Sequence, residues 1–187
     1  APSCGRLLAT QGARVIKVES PRGDVERTFG PTLFAPATDE ENPIYDTLNG
    51  GKEALMLDLK KPRDMEIFHE ILAKADVFLS NNRPQALKKM GLDYDSLESR
   101  YPGLIYAVLL GYGEKGPKTN YPGFDAIAMF ATGGFIQDMM VDSDQAYPVY
   151  LPMGFGDLIC GTILSGAIGT ALYAREKSGK GDYVSLS

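Results

Sequence analysis

Ala54-Leu55-Met56-Leu57 and Asp76-Val77-Phe78-Leu79, with a helical pattern between them, decide the fold. Each is a strand-length apolar run, and Asp58 and Lys60 close the first. Between them, Pro62 stands where a helix tolerates proline in its first turn. Met65, Ile67, Phe68, Ile71 and Leu72 then recur at helical spacing up to Ala75, the pattern of a helix that packs one face on a sheet.

The same alternation continues outward. Ser80-Asn81-Asn82-Arg83-Pro84 leaves the second strand as a polar loop, short helices follow near Gln85 to Met90 and Ser96 to Arg100, and Leu104 to Leu110 is a further apolar strand. Upstream, Gly5-Arg6-Leu7-Leu8-Ala9 reads as a helix that Gly12 stops, and Arg14-Val15-Ile16-Lys17-Val18 as a β-branched strand. From Glu19 to about Gly51, Pro21, Pro31, Pro36 and Pro43 fall among charged and small polar residues with no sustained period, which predicts a long loop. Strands rich in Val, Ile and Leu alternating with amphipathic helices imply an α/β fold, with a Rossmann-like, mostly parallel sheet and helices on both faces. Ligands of such sheets collect outside the carboxyl ends of the strands. Here those ends are Glu19-Ser20, Leu57 to Lys60, Asn81 to Arg83 and Gly111-Tyr112-Gly113.

With 187 residues the chain fits one domain able to bury a core, and its net charge of −5 argues against non-specific nucleic-acid binding. Cys4 and Cys160 form no framework and no C-x-x-C, so an intracellular, cytoplasmic protein with free thiols is expected, and packing is the expected role of both. The chain opens Ala1-Pro2-Ser3-Cys4 without Met and stops inside the strand-like Tyr183-Val184-Ser185-Leu186-Ser187, which suggests a fragment of a longer polypeptide.

Gly154-Phe155-Gly156-Asp157 opens a long uncharged run, Leu158 to Ala174. Glycines before the Asp allow a tight turn and a close approach by a ligand. An Asp at or near a helix start can accept hydrogen bonds from orphan N–H groups, and the macrodipole favours its ionised form. An ordinary N-cap and a functional carboxylate both fit this pattern. The run nears the length of a membrane span, but no Lys/Arg cluster or aromatic belt brackets it, and it ends in Arg175-Glu176-Lys177. Gly161, Ser165 and Gly169 share one face on which another backbone could lie closely, so a buried core helix is expected and no membrane association.

Other chemistries lack their residues. No G-x-G-x-x-G follows a strand, and Gly50-Gly51-Lys52-Glu53 lacks the upstream Gly and the Ser/Thr of a phosphate loop. No G-x-S-x-G elbow appears. His69, the sole histidine, lies in Ile67-Phe68-His69-Glu70-Ile71 and reads as structural or solvent-facing, and with two distant cysteines it offers no metal spacing.

Gly12-Ala13-Arg14-Val15-Ile16-Lys17-Val18-Glu19, Leu57-Asp58-Leu59-Lys60, Ala86-Leu87-Lys88-Lys89-Met90-Gly91, Gly111-Tyr112-Gly113 and Pro122-Gly123-Phe124-Asp125 resemble, in that order and across essentially the whole chain, the family III (CaiB–BaiF) CoA-transferases, and within them the 2-hydroxyacid branch. The resemblance implies that residues 1–187 are the CoA-binding Rossmann-like large domain of a longer chain, lacking its first strand and C-terminal parts. It places the nucleophile at Asp157, which would pass through an aspartyl anhydride and an aspartyl-CoA thioester. CoA-binding positions carry over to Leu57, Lys60, Asn81, Asn82, Arg83 and Lys89, with Phe124 and Asp125 as further candidates. Asp125 is alternatively a helix cap. Gly154 and Gly156 would let the thioester approach Asp157.

Acyl-CoA and carboxylic acids are the implied partners, with no permanently bound cofactor, no metal and an interlocked homodimer. The sequence departs from the family where Ser20-Pro21 precedes Arg22, so an adenine contact expected just after Glu19 is in doubt. An acyl-CoA racemase of the same family would need a His where Phe124 stands, and Phe cannot transfer a proton. A non-catalytic CoA-binding or assembly module is the remaining alternative.

Overall fold

A computed structural model describes residues 1–141, 147–149 and 151–187. The elements follow in the order α1 (Pro2–Thr10), β1 (Ile16–Glu19), α2 (Pro43–Asn49), β2 (Glu53–Met56), α3 (Pro62–Leu72), β3 (Val77–Ser80), α4 (Pro84–Lys89), α5 (Tyr94–Arg100), β4 (Ile105–Leu109), α6 (Phe135–Asp138), α7 (Phe155–Ser178) and β5 (Asp182–Leu186). Every described strand pairing is parallel, but the strands form two ladders, β1-β2 and β3-β4-β5.

The central ladder shows why the α/β reading holds. Side chains alternate along a strand, so each strand feeds two cores. Phe78, Tyr106 and Val108 turn to one face with Phe68 and Leu72 of α3, Leu87 of α4 and Leu97 of α5. Val77, Leu79, Ala107, Leu109 and Val184 turn to the other, with Cys4 of α1 and Leu164 and Ile168 of α7. Phe78, Tyr106 and Tyr183 stand opposite one another in the register, and their rings pack at 5.1 and 5.4 Å between centroids. Leu164 and Ile168 are fully buried, and each contributes roughly 2 kcal/mol of apolar burial.

Two expectations change here. The stretch from Glu19 to Gly51 is not featureless: it holds 3-10 turns at Val25–Thr28 and Gly30–Leu33, and helix α2. Its signal was present in the sequence. Asn42 accepts a hydrogen bond from the Tyr45 N–H as N-cap, and Pro43 takes the first helical position, where a proline initiates a helix rather than breaking one.

Helix α7 is also not buried all round. Gly156, Gly161, Leu164, Ser165, Ile168 and Ala171 face inward, whereas Leu158, Ile159, Ile163 and Tyr173 are exposed. Close approach occurs at Gly161, where a Cβ would lie 2.8 Å from the Cys4 backbone nitrogen, and not at Gly169, which borders open space. Among the described residues α7 is the one helix long and apolar enough to cross a membrane. It packs on α1, β4 and β5.

Candidate active site

Asp157 lies in the first turn of α7, but it is not the cap. That position belongs to Gly154, whose φ of +80° is a left-handed conformation that glycine adopts without strain. Ser3 of α1 fixes the turn from outside, its hydroxyl donating to the Asp157 carbonyl oxygen at 2.9 Å. Asp157 keeps a solvent-exposed surface.

Gly156 is buried, and the reason for a glycine there differs from the expected one. A Cβ at 156 would fall 2.6 Å from Met129 Sδ and 3.1 Å from Asp125 Cβ. The missing side chain therefore admits two residues of this chain rather than a ligand. Asp125 caps a π-helical stretch, Ala126–Thr132, by accepting from the Ala126 N–H at 2.7 Å through Oδ1, while its Oδ2 is buried without a hydrogen-bond partner among the described residues. Phe130 of that stretch is buried between the rings of Phe135 and Phe155, at 6.2 and 6.4 Å, an apolar wall beside the first turn of α7.

The electrostatics run against the expectation that the helix start holds Asp157 ionised. Desolvation of its carboxyl, and then the charge of Asp125, push its pKa above the ordinary aspartate value. The pKa of Glu26, from the first 3-10 turn, is raised by desolvation, then by Asp24 and by Asp157. Burial pushes the Cys4 thiol up to about 11 and raises that of Cys160, which keeps both thiols protonated. His69 belongs to α3, on the opposite face of the central ladder from α7, where its Nδ1 lies 3.1 Å from the Tyr101 hydroxyl.

The other candidates stand at strand ends. Asn81, Asn82 and Arg83 leave β3 as an exposed loop, with the Asn82 N–H donating to Ser80 Oγ at 3.1 Å and Arg83 to the Asn120 carbonyl at 3.1 Å. Asn120 also accepts from the Gln85 N–H at 3.3 Å, and nothing in the sequence pattern had marked it. Leu57 is packed in the core with its N–H donated to the Glu19 carbonyl, so a ligand would meet its backbone oxygen rather than its side chain. Lys60 and Lys89 are exposed, and neither ammonium is hydrogen-bonded or ion-paired among the described residues. Phe124 is 67% exposed.

Gly111 and Gly123 join this edge to the start of α7. They touch backbone to backbone, which seats Phe124 and Asp125 beyond the carboxyl end of β4 and, through Gly156, against the start of α7. Asp157, Asp125, Phe124 and the loop after β4 thus form one cluster.

The model of CoA-transferase family III matches residues 1–187. The chain belongs to that family. It is 43% identical over 187 residues to the (R)-2-hydroxy-4-methylpentanoate CoA-transferase of Clostridioides difficile, covering 100% of this chain and 46% of that protein. It is 44% identical over 187 residues to the cinnamoyl-CoA:phenyllactate CoA-transferase of Clostridium sporogenes, covering 100% of this chain and 45% of that one. A crystal structure of a CaiB/BaiF family protein from Brucella suis superposes with a TM-score of 0.87 at 34% identity, over 98% of this chain and 48% of that chain. The family III chain described here therefore spans just under half the length of these relatives.

Proposed function

We propose that the protein carrying this chain is a CoA-transferase that moves CoA from an acyl-CoA donor to a carboxylic acid acceptor, a 2-hydroxy acid, with Asp157 as nucleophile. The observation that carries the reading is the placement of Asp157: exposed on the first turn of a 24-residue helix, anchored by Ser3, and backed by Asp125 and an aromatic wall. The acceptor class rests on the 43% and 44% identity to the two 2-hydroxyacid enzymes.

An Asp157 oxygen attacks the thioester carbonyl carbon, the C–S bond breaks, and CoA departs as thiolate, leaving a mixed anhydride. The thiolate attacks the aspartyl carbonyl, the donor acid leaves as carboxylate, and an aspartyl-CoA thioester remains. The acceptor carboxylate attacks that thioester and releases thiolate, which then takes the acceptor acyl group and returns Asp157 as carboxylate. Thioester and anhydride are close in reactivity, so the chain needs to position groups and exclude water rather than supply ATP.

Arg83, Lys60 and Lys89 supply cations suited to the phosphates of CoA, with Asn81, Asn82 and the Leu57 carbonyl as polar contacts. The same reading makes residues 1–187 the CoA-binding part of a longer, homodimeric, cytoplasmic enzyme. Incubating the full-length protein with acyl-CoA and hydroxylamine, then mapping the modified carboxylate by mass spectrometry, tests it. Labelling at Asp157 and loss of exchange in Asp157→Asn are expected. Labelling elsewhere, or transfer retained in that variant, sinks the reading. Exchange of the α-hydrogen with deuterated solvent without acceptor would point to a racemase instead.

A further inference from the structure

We propose that Asp125 tunes the nucleophile: held under Gly156 with one oxygen unpaired, its carboxylate repels the charge on Asp157 and so favours transfer of the acyl group onto Asp157. The proposal rests on Asp157 being the nucleophile. Asp125 acts through Asp157 and touches no substrate.

Asp125 is fixed from three sides. Its segment is pressed to the end of β4 by the Gly111–Gly123 contact, its Oδ1 is engaged by the Ala126 N–H, and the bare Cα of Gly156 covers its Cβ. Oδ2 is left buried with no partner among the described residues. A buried carboxylate oxygen without a donor costs stability and adds nothing to the resting fold, which points to a role outside the fold itself. Neither oxygen is presented as an open ligand for CoA, since one is bonded to the backbone and the other is buried.

Gly156, which packs on the Asp125 Cβ, is followed directly by Asp157, so the two carboxyls belong to adjoining positions across this contact. Among the described side chains, the charged and titratable groups that act on Asp157 are Asp125 from the π-helical stretch, Glu26 from the first 3-10 turn, and Cys160 from α7 itself. Desolvation and then Asp125 disfavour the ionised carboxyl. Acylation removes the same negative charge that protonation removes. A neighbour that resists ionisation therefore also lowers the free energy of the anhydride relative to the free carboxylate, while the charge leaves on the CoA sulfur.

The test uses the full-length protein and two uncharged variants that keep a capping oxygen, Asp125→Asn and Asp125→Ser. Two quantities are read: the pH dependence of single-turnover acylation by acyl-CoA, and the carbon-13 titration of the Asp157 carboxyl in ligand-free protein. In both variants the acid limb and the titration should move to lower pH, and acylation should slow several-fold, with hydroxylamine still labelling Asp157. An unmoved limb and titration, even with reduced activity, would show a purely structural cap and overturn the proposal. If neither variant folds, the parent decides: Asp157 titrating at or below the ordinary aspartate value overturns it. Absence of label at Asp157 in the parent defeats the nucleophile assignment instead, a result separate from the titration.

Discussion

Gly111 and Gly123 touch through their backbones: a Cβ built on either would lie 2.5 Å from the Cα of the other. Segments twelve positions apart are thereby locked together at the end of β4, and the lock sets where Asp125 meets α7. Gly111→Ala or Gly123→Ala should destabilise the protein by about 1–3 kcal/mol, because backbone atoms must move to make room. Urea unfolding midpoints read the loss, and slower acylation at Asp157 should accompany it. Retention of both would show that the contact is slack.

Gly154→Ala isolates backbone strain from crowding. Its φ is +80° and no described residue lies within 4 Å of a Cβ there, so the cost is that of a left-handed alanine, about 1–2 kcal/mol. Gly156→Ala has no such φ but meets Met129 and Asp125. Thermal denaturation should show both losses, and activity should fall more in the 156 variant, because only that one displaces the neighbours of Asp157.

Glu19, buried at the end of β1, accepts from Arg27 at 2.8 and 3.0 Å and from the Tyr45 hydroxyl at 2.6 Å. Desolvation alone would raise its pKa, but the hydrogen bonds from Arg27 and Tyr45 and the charges of Lys17 and Arg27 outweigh it and hold the carboxyl down at about 2. A pKa depressed below the unfolded value of 4.5 gives stability that is present above about pH 4.5 and is lost as pH falls through about 2. Arg27→Ala should cost about 2 kcal/mol, since Tyr45 and Lys17 remain, and should move the acid transition to higher pH. Urea unfolding measured across that pH range checks both.

Substitution of Arg83 tests binding apart from chemistry. Arg83 is exposed at the end of β3 and far in sequence from Asp157, so Arg83→Ala should raise KM for the acyl-CoA about tenfold with little change in kcat, the loss of one charge-assisted contact. Dephospho-CoA esters tested beside the parent substrate would show whether the contact is to the 3′-phosphate. An unchanged KM would remove Arg83 from the CoA-binding set.

Much of the fold was legible because the apolar period is imposed locally. The Leu55, Phe78 and Val108 runs became strands and the Met65 to Leu72 pattern became α3, with boundaries displaced by a residue or two at most strand ends. Helix α2 escapes a periodicity reading because its seven residues are too few to show a sustained period, and its signal lies in the Asn42 cap and the first-turn Pro43 instead. The site was legible as a list of residues and not as an arrangement.

The sequence by itself determined the alternating α/β order, the family, and Asp157 at the start of a long helix, since periodicity, motif order and glycine placement are properties of neighbouring residues. Only the tertiary structure decided that Gly154 is the cap, that Gly156 makes room for Asp125 and Met129, and that one face of α7 stays exposed. It also decided the sign of the shift at Asp157. Those outcomes depend on desolvation and on charges and backbones brought together from distant parts of the chain, and no local pattern encodes them.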